Sequence, residues 1–119
     1  PDGAIICGGG SVELSDNAFT LSVTGATPGD FGLYFYGTMP ASIPFADGVL
    51  CVSGSVSRLP PPLVADPSGS ASRALDFTQP PLNGIPPGAT RYFQYWYRDP
   101  TAGGTGSNFS NGLKVTFHP

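Results

Sequence analysis

Charged residues are scarce in this sequence: only 11% of the chain is Asp, Glu, Lys or Arg. Five residues are cationic, and they are scattered along the chain instead of forming a basic patch. Binding to nucleic acid requires several clustered cations that displace counterions from phosphates, so we exclude that function. Long apolar runs are absent as well. None approaches the roughly 20 residues of a membrane helix, and the sequence predicts no membrane span.

Histidine is nearly absent, which bears on catalysis. The one histidine, His118, precedes the last residue, whereas a Ser-His-Asp triad needs a histidine held by a carboxylate and aimed at a serine in a cleft. Nearly all acidic residues occupy turn positions, where Asp bonds to its own backbone, so no glycosidase pair is assigned. We therefore expect no enzyme, no catalytic residue and no cofactor. A structural calcium ion held by turn aspartates is the one alternative considered.

Sustained helical periodicity is also missing, whereas glycine and proline are abundant, with 17 and 14 residues. Short alternating apolar runs lie between clusters of these turn residues, a spacing typical of an all-β sandwich or barrel. Because 39% of residues are hydrophobic, disorder is excluded. We predict a single all-β domain over residues 1–119. Its fold is expected to be an antiparallel β-sandwich of about seven to nine strands, immunoglobulin-like or jelly-roll-like in topology.

The most aromatic stretch is 90–99, and it predicts the central strand of the domain. Side chains alternate across a strand, which puts Trp96 and Arg98 on one face and Phe93, Tyr95 and Tyr97 on the other. Both faces are bulky and largely apolar, which favours a strand covered on both sides. A second aromatic strand is predicted at 31–37 and is expected to lie beside the first.

Four residues in these strands are candidates for an interaction or sugar-binding site: Tyr34, Tyr36, Trp96 and Arg98. Exposed aromatic rings stack on sugar rings in carbohydrate-binding modules, and Arg98 is placed to stack or to pair with a carboxylate. The same alternation is typical of aromatic residues that pack in a core. Both interpretations stay open at the level of sequence.

Two cysteines, Cys7 and Cys51, both fall in predicted strands. We predict that they form a disulfide, which would be worth about 4 kcal/mol on chain-entropy grounds. Two buried free thiols are the alternative.

Several runs resemble a C-terminal domain of large secreted proteins of planctomycetes and myxobacteria. They are D-G-V-L-C-V at 47–52, D-P-S-G-S-A-S-R-A-L-D-F at 66–77, Y-F-Q-Y-W-Y-R-D-P at 92–100 and N-F-S-N-G-L-K-V-T-F at 108–117. Residues 1–44 match this family only in strand pattern. The resemblance implies an exported β-sandwich at the end of a longer polypeptide. It implies no activity, because the family has no assigned one. Because the sequence has no signal peptide and does not start with Met, we expect a processed or C-terminal piece of a longer exported chain.

We therefore expect a non-catalytic, extracellular or cell-surface module that acts in adhesion or self-assembly, as a surface or filament subunit, through its loops and strand edges. The expected partners are other copies of the chain or other surface proteins. An unpaired edge strand offers a template for another chain, and the short N-terminal strand with Ala4, Ile5 and Ile6 is the candidate. The alternative function is a carbohydrate-binding module that retains polysaccharide on exposed aromatic rings.

Overall fold

The computed structural model describes residues 4–45, 48–100 and 106–119, and its fold is all-β, as the sequence predicts. The two short 3-10 turns Leu14–Asp16 and Leu82–Gly84 join strands of this fold. The ten strands are β1 Ile5–Gly10, β2 Phe19–Thr24, β3 Phe31–Gly37, β4 Met39–Phe45, β5 Gly48–Ser53, β6 Ser57–Val64, β7 Ala71–Leu75, β8 Thr90–Arg98, β9 Ser107–Phe109 and β10 Leu113–Thr116.

The strands form a smaller sheet, a larger sheet and a separate hairpin. The smaller sheet has the order β1-β2-β7, and the larger has the order β10-β8-β3-β6, with β9 also paired to β8. Strands β4 and β5 form the hairpin, and every pairing between strands is antiparallel. The two sheets make an antiparallel β-sandwich. The choice between immunoglobulin-like and jelly-roll-like topology stays a prediction.

The core lies between the two sheets and is built from the inward side chains of alternating strands. The smaller sheet contributes residues such as Phe19 and Leu21, and the larger sheet contributes Phe93 and Tyr95. Phe117, just beyond β10, packs edge-on against Phe19 with ring centroids 5.7 Å apart. Such edge-to-face pairs add to the free energy that comes from burying the rings.

Strand β8 is central in the larger sheet, as predicted, because β3 pairs with one edge while β9 and β10 share the other. The predicted neighbour at 31–37 is β3, and its Leu33 lies directly opposite Trp96. Both faces of β8 are covered in part, as the aromatic composition indicates. Phe93 faces the core, and Gln94 is fully buried on the outer face beneath the hairpin.

The described residues form ten strands, whereas the sequence predicts about seven to nine, and two of the ten contain proline. Strand β4 contains Pro40 and Pro44 but pairs only with β5. Strand β6 contains Pro60, Pro61 and Pro62 and lies at the edge of the larger sheet. Its register against β3 shifts at these prolines, which have no partner residue. Proline is tolerated in edge strands because the missing N–H would face away from the sheet.

Candidate functional site

The side chain of Gln94 joins the hairpin β4–β5 to the outer face of the larger sheet by hydrogen bonds. Its Oε1 accepts a hydrogen bond from the backbone N–H of Cys51 at 2.9 Å, and its Nε2 donates to the carbonyl of Val49 at 2.8 Å. The same Nε2 donates to the carbonyl of Ser110 at 2.6 Å. The amide therefore pairs with β5 as the peptide group of a neighbouring strand would. This contact fixes the hairpin above the sheet.

An apolar groove lies between the hairpin and the outer face of the larger sheet. Two rows of paired residues form its sheet side: Arg58 with Phe35, and Leu33 with Trp96. The groove has a volume of about 420 Å³, which lies within the usual range for ligand pockets. Its lining side chains are Leu33, Phe35, Phe45, Leu50, Val56, Arg58, Trp96 and Phe109.

Aromatic contacts join the two sides of this groove. Phe109 of β9 packs edge-on against both Phe35 of β3 and Phe45 of β4, with ring centroids 6.0 Å apart in each pair. Phe45 itself keeps 58% of its surface exposed, and Val56 across the groove keeps 51%. Apolar surface therefore faces solvent where the outer face of a sandwich sheet is ordinarily polar.

The four predicted binding residues do not form one site. Tyr34 and Tyr36 are only 1% and 4% exposed, because they point into the core between the sheets. The interpretation of these two tyrosines as an exposed sugar platform is therefore wrong. Trp96 is half-buried and lines the groove, whereas Arg98 is exposed and is not among the groove residues.

The groove contains a cation, Arg58, that the sequence analysis did not select. Its neighbour Leu59 points into the core, so alternation along β6 sends Arg58 to the outer face, opposite Phe35. That pattern was the available signal, since a short strand could be expected at 55–59, but the outer face of that strand could not be assigned to a site from the sequence alone. Arg58 also borders a second hollow, of about 450 Å³, beside Pro60 and Arg73.

Strand β1 is an edge strand, as predicted, but its outer edge is occupied. The N–H of Ile6 donates to Asn111 Oδ1 at 2.9 Å, and the N–H of Ala4 donates to the hydroxyl of Tyr97 at 3.2 Å. The N–H of Asn111 donates in turn to the carbonyl of Ala4. Ala4 and Ile6 are buried, and of the three candidate residues only Ile5 is exposed. The segment is therefore a poor template for a further strand.

The proline-bearing edges are also protected against pairing with another chain. On β6 the guanidinium of Arg73 reaches across from β7 and donates to the carbonyls of Leu59 at 3.0 Å and Pro60 at 2.7 Å. The next residue, Pro61, has no N–H to offer. On β4, Pro44 lies opposite Val49 and likewise lacks a donor. Prolines and occupied backbone groups are the usual means by which exposed sheet edges avoid aggregation.

Cys7 and Cys51 are free cysteines, so the predicted disulfide is not formed. Cys7 is exposed on β1 of the smaller sheet, whereas Cys51 is half-buried on β5 of the hairpin. The thiol of Cys51 contacts the carbonyl of Val49 at 3.6 Å. The two strands belong to different sheets, and alternation within single strands could not reveal how these sheets are placed relative to each other.

The perturbed ionisable groups lie in the core and at turns. Burial raises the pKa of the Tyr34, Tyr36, Tyr95 and Tyr97 hydroxyls above the ordinary value. Hydrogen bonds from the backbone of Ser70 and from Ser68 lower the pKa of Asp66. The same bonds stabilise the turn that begins at Asp66.

The described segments contain no group of three or more His, Cys, Asp or Glu residues able to hold a metal ion. They therefore offer no assembled ligand set for the calcium ion considered above. His118 is exposed, and its backbone accepts a hydrogen bond from Leu14.

No helix in residues 4–45, 48–100 or 106–119 has the length and apolar character needed to cross a membrane. Comparisons with protein-family models, with curated proteins and with solved structures found no match to this chain.

Proposed function

We propose that this chain is a non-catalytic, extracellular or cell-surface interaction module that acts in adhesion or self-assembly. The contact surface would be the outer face of the larger sheet together with the β4–β5 hairpin. The observation that carries this proposal is the apolar character of that face. Phe31 and Val64 pair on it and are 54% and 53% exposed, and the apolar groove lies beside them. Contiguous exposed apolar surface marks sites of interaction with other molecules.

The proposal departs from the sequence-based expectation in one respect. Contact through the start of β1 or through the edge of β6 is disfavoured, because Asn111 bonds to the backbone of Ile6 while prolines and Arg73 protect β6. Contact between side chains on a sheet face needs no free backbone groups. The low charge of the chain supports this mode, since it keeps repulsion between neighbouring copies weak. Extracellular location is supported by the Ser-, Thr-, Gly- and Pro-rich composition and by the family resemblance.

The experiment compares self-association of the natural chain with two variants. Phe45→Asp places a charge on the exposed hairpin, and Ile5→Asp places the same charge on an equally exposed apolar residue of the smaller sheet. Sedimentation velocity over rising protein concentration is expected to show multimers for the natural chain and for Ile5→Asp, and monomers for Phe45→Asp. A natural chain that stays monomeric at every concentration contradicts self-assembly through this face.

The second candidate function is a carbohydrate-binding module, which one observation favours. Trp96 is half-buried in the groove beside Phe109, so part of its ring is available to a ligand. Trp96→Ala should then abolish retention on insoluble polysaccharide without changing the far-ultraviolet circular dichroism spectrum. Tyr92→Ala, at another half-buried aromatic of β8 outside the groove, is the matched control. Retention that is equal in both variants would rule this function out.

A further inference from the structure

We propose that the groove beneath the β4–β5 hairpin binds a fatty carboxylate, with the alkyl chain among the aromatic side chains and the carboxylate at Arg58. This site goes beyond the proposed contact function, because it concerns a small ligand and needs no second protein. Seven of the eight lining side chains are apolar. An alkyl chain gains free energy in proportion to the apolar surface that it removes from water.

Arg58 supplies the complementary charge. Among the lining residues that the structure describes it is the only charged side chain, and it is exposed at the edge strand β6. No hydrogen bond or ion pair joins its guanidinium to any residue in the described parts of the chain. By contrast, Arg73 donates to the carbonyls of β6, and Arg91 donates to the carbonyl of Thr90. A free guanidinium presents two parallel donors that match a carboxylate.

The polarity of the groove argues against a peptide as the occupant. A peptide brings backbone amides, and each amide costs free energy when it is buried without a partner. The backbone beneath the groove is already engaged, because β3 pairs with β6 on one side and with β8 on the other. Among the described lining side chains, Arg58 is the one that can donate charge-assisted hydrogen bonds to an anion.

Charge also argues against a symmetric pair in which the grooves of two copies face each other. Such a pair would bring two Arg58 side chains together, and none of the lining residues that the structure describes is acidic. Like charges that meet at an interface oppose association. Self-assembly in which each copy offers a different part of its surface does not bring the two grooves together. A ligand with one carboxylate and no amide groups fits both the apolar walls and the single cation.

Fluorescence emission of Trp96 can report ligand binding, since Trp96 is the only tryptophan and it lines the groove. The natural chain is titrated with sodium decanoate below its micelle concentration, with decyltrimethylammonium and decanol as probes of equal chain length. We expect a saturable change in Trp96 emission with decanoate and weaker binding of the other two. Arg58→Gln should weaken decanoate binding about threefold to fivefold, the range for an ion pair at a water-exposed rim.

Two matched controls distinguish decanoate binding in the groove from binding elsewhere on the protein surface. Arg98→Gln removes an exposed cation outside the groove and should leave decanoate affinity unchanged. Phe45→Ser should weaken binding, whereas Met39→Ser, at a residue of the same hairpin that is 57% exposed but lies outside the groove, should not.

The proposal is overturned by any of three results. They are the lack of a saturable change with decanoate, equal binding of decanoate and decyltrimethylammonium, or a capped acidic peptide that binds more tightly than decanoate and depends on Arg58. Self-association of the chain is read by sedimentation and not by these titrations. A failure of this proposal is therefore distinguishable from a failure of the proposed contact function.

Discussion

The side chain of Gln94 serves as a strand partner for the backbone of Cys51. Their hydrogen bond is 2.9 Å long and joins the middle of the larger sheet to a hairpin that shares no backbone pairing with it. Val49 and Ser110 complete the contact by accepting from the same amide. The buried side chain of Gln94 therefore helps to position one side of the groove. Its removal should loosen the hairpin more than the rest of the larger sheet.

Replacing Gln94 by Leu should destabilise the protein by about 2–4 kcal/mol, because one N–H and two carbonyls lose their partner within a buried contact. Urea unfolding followed by Trp96 fluorescence measures the free energy. Amide hydrogen exchange should show faster exchange at Cys51 in the variant.

Gln79→Leu is the matched control, since Gln79 is exposed and its side chain makes no hydrogen bond in the described structure. The change there should stay within about 0.5 kcal/mol, as is usual for surface sites. Equal effects at both positions would show that the Gln94 contact does not hold the hairpin.

The two cysteines should both react as free thiols. A thiol reagent is expected to modify two groups per folded chain without prior reduction, with exposed Cys7 reacting faster than half-buried Cys51. A reductant should leave the unfolding free energy unchanged within about 0.5 kcal/mol, whereas loss of a native disulfide typically costs about 2–5 kcal/mol. Mass spectrometry of the alkylated protein provides the check. If neither cysteine is alkylated and reduction lowers the unfolding free energy, the two cysteines form a disulfide and the prediction is wrong.

Alternation along strands predicted much of this fold. The aromatic run of β8 and its position beside β3 follow from residue types and their spacing. These features depend on local chain geometry, which short-range sequence patterns record well.

The candidate site was harder to predict, because both faces of β3 are apolar. The sequence shows that Tyr34 and Tyr36 share one face and that Leu33 and Phe35 share the other. It does not show which face meets the second sheet, so a surface platform and core packing both stayed open for the two tyrosines, which lie in the core. The role of Gln94 depends on a hairpin that is distant in sequence, and no local pattern carries that information.

Alkaline pH should destabilise the protein through its buried tyrosines. Burial raises the pKa of Tyr34, Tyr36, Tyr95 and Tyr97 above the ordinary value of 10.0, so the unfolded chain releases these protons at lower pH than the folded protein does. Stability is therefore fully present below about pH 10 and falls as pH rises toward the folded pKa values. Urea midpoints measured on both sides of pH 10 provide the check. A midpoint that stays constant or rises with pH would contradict the assignment.

Two core tyrosines should respond differently when their hydroxyls are removed. The rings of Tyr34 and Tyr95 lie 4.6 Å apart, but only one hydroxyl has a partner: that of Tyr34 donates to the carbonyl of Ala71 at 2.8 Å. The hydroxyl of Tyr95 is buried, has no hydrogen-bond partner in the described structure, and lies where a Cβ on Gly32 would stand. Glycine is needed at that position because the hydroxyl approaches the backbone so closely.

We therefore expect Tyr34→Phe to lower the unfolding free energy by about 1 kcal/mol, since a buried carbonyl loses its donor. Tyr95→Phe should leave the unfolding free energy unchanged or raise it slightly, because it removes a polar group that is buried without a partner. Each variant keeps its aromatic ring, so both differences report on the hydroxyl alone and can be measured by urea unfolding. A loss at Tyr95 equal to that at Tyr34 would mean that the Tyr95 hydroxyl contributes a stabilising hydrogen bond of its own.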